Sequence, residues 1–225
     1  MDAEQPGNDG LIAPTPRTKV RRLAERARYE RATVNAILDD GIVAHVGFVA
    51  DVGMCVLPMA YGRIDDHLYL HGATGNAMLR ALSGGDVCVT VTLLDGLVLS
   101  RSAFHHSMNY RSVVVFGRAE QVVDGDEVME ALLAIVDHVA AGRSDVCRRP
   151  TAAEIRKTRV VRLRIDEASA KVRTGPPVED PDDIGLAFWG GVVPVTTTFG
   201  MPIADEFVVP GMAAPVYAAA RRDAN

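Results

Sequence analysis

Three segments between Val56 and Val122 restrict what this chain can become: VLPMAYGR (Val56–Arg63), LYLHGATGNAMLRAL (Leu68–Leu82) and NYRSVVVFGRAEQV (Asn109–Val122). Each is apolar enough for a core, and each carries something an ordinary core strand avoids. Pro58 has no N–H to give to a ladder, so it belongs at an edge, a bulge or a point where pairing stops. His71 heads a run of small residues. Arg111 opens a β-branched strand with a charge it cannot lose. The pattern points to a small β-barrel whose strands double as a ligand wall.

The rest of the chain agrees with a barrel. Ile42–Ala50 and Met54–Arg63 are apolar runs around the short turn Asp51–Gly53, and Leu68–His71 follows another turn, which is hairpin spacing. Val87–Leu94 is strongly β-branched. Asp95-Gly96 reads as a hairpin turn before a short strand Leu97–Leu99, and Tyr110–Val123 reads as one long strand. Thr158–Asp166 alternates, with Val161, Leu163 and Ile165 against Arg162 and Arg164, as a half-buried strand does. Ala168–Thr174 and Trp189–Thr198 add shorter strands.

Helical spacing occurs at the margins. Val20, Leu23, Ala24 and Ala27, then Val34, Ile37 and Leu38, predict two short helices, with Thr33 a start and Gly41 a stop. Thr74–Leu82 predicts another. Asp124-x-x-Glu127 and Thr151-x-x-Glu154 fit capping boxes, the first opening a helix with Val128, Leu132, Ile135, Val136 and Val139 on one face. The expected fold is mostly β: an antiparallel barrel with flanking helices. Residues 1–17 are expected to be a mobile tail, 18–205 the barrel domain and 206–225 a C-terminal extension.

Composition removes several functions. The formal net charge of −5 argues against a nucleic-acid or anionic-membrane surface. The basic residues of Arg17–Arg31 are interleaved with glutamate and read as a solvated helix face. Cys55, Cys88 and Cys147 show neither disulfide nor metal spacing. The first two read as small buried hydrophobes, and the third, in a basic loop, as a thiol of possible reactivity. No stretch approaches the ~18 apolar residues of a membrane span, and no signal peptide is expected. A reduced cytoplasmic protein follows as the expectation. G-x-S-x-G, H-E-x-x-H and G-x-G-x-x-G are missing from the sequence, which sets aside triad hydrolysis, zinc chemistry and a dinucleotide fold.

Four places carry candidate chemistry. Along Val56, Leu57, Pro58, Met59, Ala60 and Tyr61, a break in pairing frees main-chain groups for a flat heteroaromatic ring, unless Pro58 only blunts an edge strand. At His71, Gly72, Ala73 and Asn76 a strand gives way to a helix start, where small residues let an anion approach the backbone; an ordinary turn is the alternative. At Tyr110, Arg111 and Ser112 the guanidinium needs a phosphate or a carboxylate, so a structural Arg–Asp pair is equally open. Trp189, the single tryptophan, can stack on a ring or close the core.

Taken together, VLPMAYGR, LYLHGATGN and MNYRSVVVFGRAEQV, followed by KVRTGPPVEDPDDI and FWGGVVPV, resemble the pyridoxamine 5′-phosphate oxidase-like flavoproteins. Within that group they are most similar to the nitroimidazole-resistance branch. The resemblance runs from about Thr18 to Asp205. It implies an FMN-binding split β-barrel and a homodimer with the cofactor at the interface, acting as an oxidoreductase on a small molecule. It implies that Val56–Tyr61 lines the isoalloxazine and that His71–Asn76 runs toward the ribityl phosphate. Arg111 and Ser112 would hold phosphate, and Trp189 would lie near the ring. His71 would face the flavin and act on an acceptor.

The chain also departs from the oxidases. Ala60, Tyr61, Asn76 and Ala77 stand where those enzymes place phosphate-binding cations, so the charge would fall to Arg111, Arg101, Arg80 or Arg143. The C-terminal arginine-rich substrate motif is missing, which disfavours pyridoxamine phosphate itself. A flavin carrier or sensor without turnover, and a deazaflavin (F420)-dependent reductase, remain alternatives.

Overall fold

The turns and β-branched runs do assemble a barrel. The structure, a computed structural model, describes residues 10–214. The parts of the expected N-terminal tail and C-terminal extension at 1–9 and 215–225 lie outside the described residues. The strands are β1 (Ala27–Arg28), β2 (Val43–Ala50), β3 (Gly53–Ile64), β4 (His67–Ala73), β5 (Asp86–Leu99), β6 (Ser107–Arg118), β7 (Glu120–Gln121), β8 (Thr158–Arg164), β9 (Glu167–Arg173) and β10 (Gly191–Pro194). The helices are α1 (Arg31–Asp40), α2 (Ala77–Leu82), α3 (Gly125–Val139) and α4 (Ala152–Arg156).

The strands pair antiparallel in the order β1-β9-β6-β5-β2-β3-β4-β8-β7, with β10 on β5. Strands β8 and β9 lie near opposite ends of this order, yet only Ile165 and Asp166 separate them in the chain. A flat sheet cannot satisfy both facts, so the sheet curls until its ends meet. Alternation then fills the interior. Val46, Val89, Val115 and Ala168 form one row across four strands and are fully buried. A second, smaller core lies outside the barrel, where Val128, Ala131 and Ile135 of α3 pack on Tyr69 and Val160. Gly62 makes that approach possible, because a Cβ there would stand 2.8 Å from the backbone nitrogen of Ile135.

Several expectations need correction. The first helix of the Val20–Leu38 pair does not form; a short 3-10 turn at Ala24–Arg26 and β1 take its place. The second helix begins after Glu30 rather than at Thr33. Asp95-Gly96 is not a hairpin turn. Strand β5 runs through it with a bulge opposite Tyr110 and Asn109, because β6 and β10 hold it on both sides. Residues 10–17 are not free, since Ile12 is 2% exposed in the core and its N–H donates to the Tyr29 carbonyl.

Both capping signals mark real helix starts. Asp124 accepts from the N–H groups of Asp126 and Glu127, and Thr151 with Glu154 forms the complete box. The Glu127 side chain instead binds Tyr69 and Arg162. Cys55 and Cys88 are partly exposed rather than buried. Among the described residues, no helix is long and apolar enough to cross a membrane.

Candidate functional site

The first candidate region is the place where the sheet stops pairing with itself. Strands β3 and β4 are in register from Ile64↔His67 to Tyr61↔Leu70, and there the ladder ends. Beyond it β4 continues on β8 alone, through His71, Gly72 and Ala73. Strand β3 continues on β2 alone, with Ala60 opposite Val43 and Pro58 opposite His45. Its other edge carries main-chain groups with no strand to receive them, and Pro58 sits in that stretch as a residue that cannot donate in any case. Two segments that sequence reading picked out separately, Val56–Ala60 and His71–Ala73, are therefore the two lips of one split. Tyr61 marks the hinge. Its buried hydroxyl donates to the carbonyls of Leu38 and Gly41, which ties β3 to the end of α1.

The chain closes one end of this split with α2. Asn76 caps the helix, its Oδ1 accepting from the Met78 N–H at 2.9 Å, and Leu79 and Leu82 are fully buried in the barrel core. Arg80 folds back so that its guanidinium donates to the Gly75 carbonyl at 2.8 Å. Arg159, opposite Gly72 on β8, was missed by sequence reasoning. Its guanidinium makes one long contact to the Ser83 hydroxyl at 3.4 Å, and its buried Nε has no partner. The alternating strand pattern placed it on a strand but carried no sign that, unlike Arg162 and Arg164, it would have no carboxylate nearby.

His71 faces away from the barrel. Alternation along β4 sends Leu68 and Leu70 into the barrel core and puts Tyr69 and His71 on the α3 side. There His71 lines a cleft of about 330 Å³ with Leu132, Leu133 and Val136 of α3, together with Cys147, Pro150 and Thr158. Burial lowers its pKa below the ordinary histidine value, which keeps the ring neutral near pH 7. Its Nδ1 is buried without a hydrogen-bond partner.

Arg111 lies elsewhere, three strands away from β3 in the sheet order. Its guanidinium binds Asp95 at 3.0 Å and Asp40 at 2.5 Å, so the structural pair left open by the sequence is present. Ser112 donates weakly to the Lys171 carbonyl at 3.4 Å, and Tyr110 pairs with Arg173 of β9. Arg111 lines a second cavity of about 660 Å³ with Asp39, Asp40, Asp95 and the segment Pro194–Thr197.

That segment belongs to a strap that runs on from the end of β9, of which only β10 is strand within the predicted Trp189–Thr198. Arg173 and Asn109 hold its start at the Gly175 carbonyl, Arg101 holds Glu179 at 2.9 Å, and β10 joins β5. Trp189 rides on the strap 64% exposed and does not close the core. Within one chain, then, the β3 and β4 candidates converge, while Tyr110, Arg111, Ser112 and Trp189 stand apart from them.

A family model described as pyridoxamine 5′-phosphate oxidase matches residues 30–172. No curated protein matches the chain. Among solved structures, the flavocytochrome Anf3 from Azotobacter vinelandii is 40% identical, with 92% of this chain and 97% of that one covered and a TM-score of 0.86. An FAD- and haem-binding protein from Mycobacterium smegmatis is 35% identical over 87% of this chain and 97% of its own, with a TM-score of 0.82. A protein assigned to 5-nitroimidazole antibiotic resistance from Bacteroides thetaiotaomicron shares the fold, at 23% identity over 65% of this chain and 86% of its own, with a TM-score of 0.56.

Proposed function

From the premise that this chain belongs to the pyridoxamine 5′-phosphate oxidase family, we propose that it is a flavin- and haem-binding redox protein. The observation that carries the reading is the near full-length likeness, at 40% and 35% identity, to a flavocytochrome and to an FAD- and haem-binding protein. The family resemblance implies FMN. The Mycobacterium smegmatis relative makes FAD the first choice for the nucleotide, and the isoalloxazine ring is common to both.

In this reading the split between β3 and β4 holds the flavin. The open edge of Val56–Ala60 offers main-chain donors and acceptors to the ring. Gly72 and Ala73 let the ribityl chain approach the opposite lip, and Arg80 and Arg159 meet phosphate. Arg159 suits the task because, among the described residues, no carboxylate answers its charge. A bound flavin supplies hydride and single-electron chemistry, and the protein contributes position, electrostatics and exclusion of water. As an enzyme it would oxidise a reduced nicotinamide and reduce a small-molecule acceptor; a carrier would bind the same flavin without turnover.

The flavin site would be completed by a second copy of the chain. The β2–β3 hairpin exposes Val43, Val49, Val52, Met54, Val56 and Leu57 beside the open edge, and an apolar patch of that kind is characteristic of an interface. A homodimer would bring the partner's strands and strap against it.

The test is a purification with cofactor extraction, mass measurement and a visible spectrum. A yellow or brown protein releasing FAD or FMN supports the reading. A colourless protein that takes up neither added flavin overturns it. Steady-state oxidation of NAD(P)H with a quinone or nitro acceptor then separates enzyme from carrier.

A further inference from the structure

The inference rests on the haem half of the reading above and assigns a place to it. We propose that a haem would be held in the cleft between α3, the Cys147–Pro150 loop and the start of β8, with His71 as a protein ligand to its iron.

The histidines of the described chain are not equivalent. His105 meets Asp180 at 3.1 Å, His106 the Ser102 carbonyl at 3.0 Å and His138 the Gly41 carbonyl at 2.6 Å. His45 is exposed on the outer face of β2, and His67 lies at a hairpin end near the Tyr69 ring. His71 alone among them has a ring nitrogen that is buried and has no hydrogen-bond partner. A buried polar atom in that state calls for a partner that the described residues do not supply.

The surroundings fit a porphyrin better than a small polar ligand. Leu132, Leu133, Val136 and Pro150 give the cleft an apolar wall for a flat macrocycle. At the rim Arg148, with 66% of its side chain exposed, is ion-paired at 2.8 Å with Glu154, which also lines the cleft, so a propionate carboxylate would have to share or replace that pair. Iron in haem takes an imidazole or a thiolate as a protein ligand, and the wall holds one of each, His71 and Cys147. The geometry favours the imidazole. The Cys147 thiol already contacts the Ser144 carbonyl at 3.9 Å, whereas His71 is fixed by the β4–β8 ladder, opposite Val160. The placement also has a functional consequence. The strand that ends as one lip of the flavin split carries the iron ligand on its other face, so the two groups would be neighbours.

Hemin titration of the purified full-length protein, followed by the Soret band and by extracted flavin, tests the assignment. The wild type should bind hemin with the spectrum of histidine ligation. His71→Ala should weaken that binding on the order of tenfold or more, and added imidazole should restore the spectrum. His71→Met is the second variant if the alanine protein does not fold; it should keep haem with a shifted Soret band. Cys147→Ser should keep the wild-type spectrum. Wild-type affinity and spectrum in both His71 variants, or loss of the spectrum in Cys147→Ser alone, would overturn the ligand assignment and leave the reading above intact. A wild type that binds flavin but no hemin would overturn that reading together with the assignment.

Discussion

Two regions of the barrel hold their polar groups in opposite states. On the β5–β6 side, Arg111 lies between Asp40 and Asp95, and Arg101 is held by Glu179. Every charge named there has its counter-charge inside the chain. On the β4–β8 side, Nδ1 of His71 and Nε of Arg159 are buried with no partner, and the edge of β3 beyond Tyr61 has no neighbouring strand. Arg31, Arg101 and Arg173 also have an unpartnered Nε, but their other nitrogens bind Asp66, Glu179 and Asn109. A region that satisfies itself is structure. A region that buries polar atoms without satisfying them is prepared for a ligand. By that criterion Arg111, prominent in the sequence, is held by the fold, and Arg159, which passed unnoticed, is the arginine that the proposed flavin site draws on.

The contrast is sharpest in paired arginine variants. Arg159→Ala should weaken flavin binding by roughly 1.5–3 kcal/mol, the worth of a charged hydrogen bond, with little change in melting temperature. Fluorescence titration of FAD into stripped protein measures this, and an unchanged affinity removes Arg159 from the site. The cleft can also be disturbed from behind. Gly62→Val places a branched side chain against the backbone of Ala134 and Ile135, at a cost of ~1–3 kcal/mol. By moving α3 it should also reduce hemin uptake, and a variant as stable as wild type in urea would show that the helix yields freely.

Arg111→Ala is the counterpart. It leaves Asp40 and Asp95 facing one another without their cation, and should lower stability by about 1–2 kcal/mol, since the pair is partly exposed. Flavin affinity should not move. A loss of flavin at unchanged stability would instead restore Arg111 as a phosphate anchor and undo the comparison.

The smallest effect concerns the strap. The Arg101 N–H and then its guanidinium hold the Glu179 carboxyl below its ordinary pKa. A depressed folded value stabilises the protein above the ordinary carboxylate range, and the contribution fades as pH falls through the folded value. Hydrogen exchange in residues 175–180 should therefore quicken in mild acid, relative to its intrinsic rate, and Glu179→Gln should abolish the difference.

Much of this could be read from residues alone, where the controlling interactions are local. Pro58 announced a break in pairing and the break is there. Thr151 and Glu154 announced a helix start and form its complete capping box. Signals that depend on a distant partner were less legible. Asp95-Gly96 has the composition of a hairpin turn, yet strands from two other parts of the chain hold it straight. Val20–Ala27 has helical spacing, yet β9 draws Ala27 and Arg28 into the sheet. Trp189 carries no local sign that it sits on a strap rather than in a core.

The sequence by itself determined a β-rich barrel, its family and the two segments that become the lips of the split, because turn chemistry, alternation and proline act over a few residues. Only the tertiary structure decided which charges are spent within the fold. Whether Arg111 meets a carboxylate and Arg159 does not depends on residues distant in the chain that the closed sheet brings beside one and not the other.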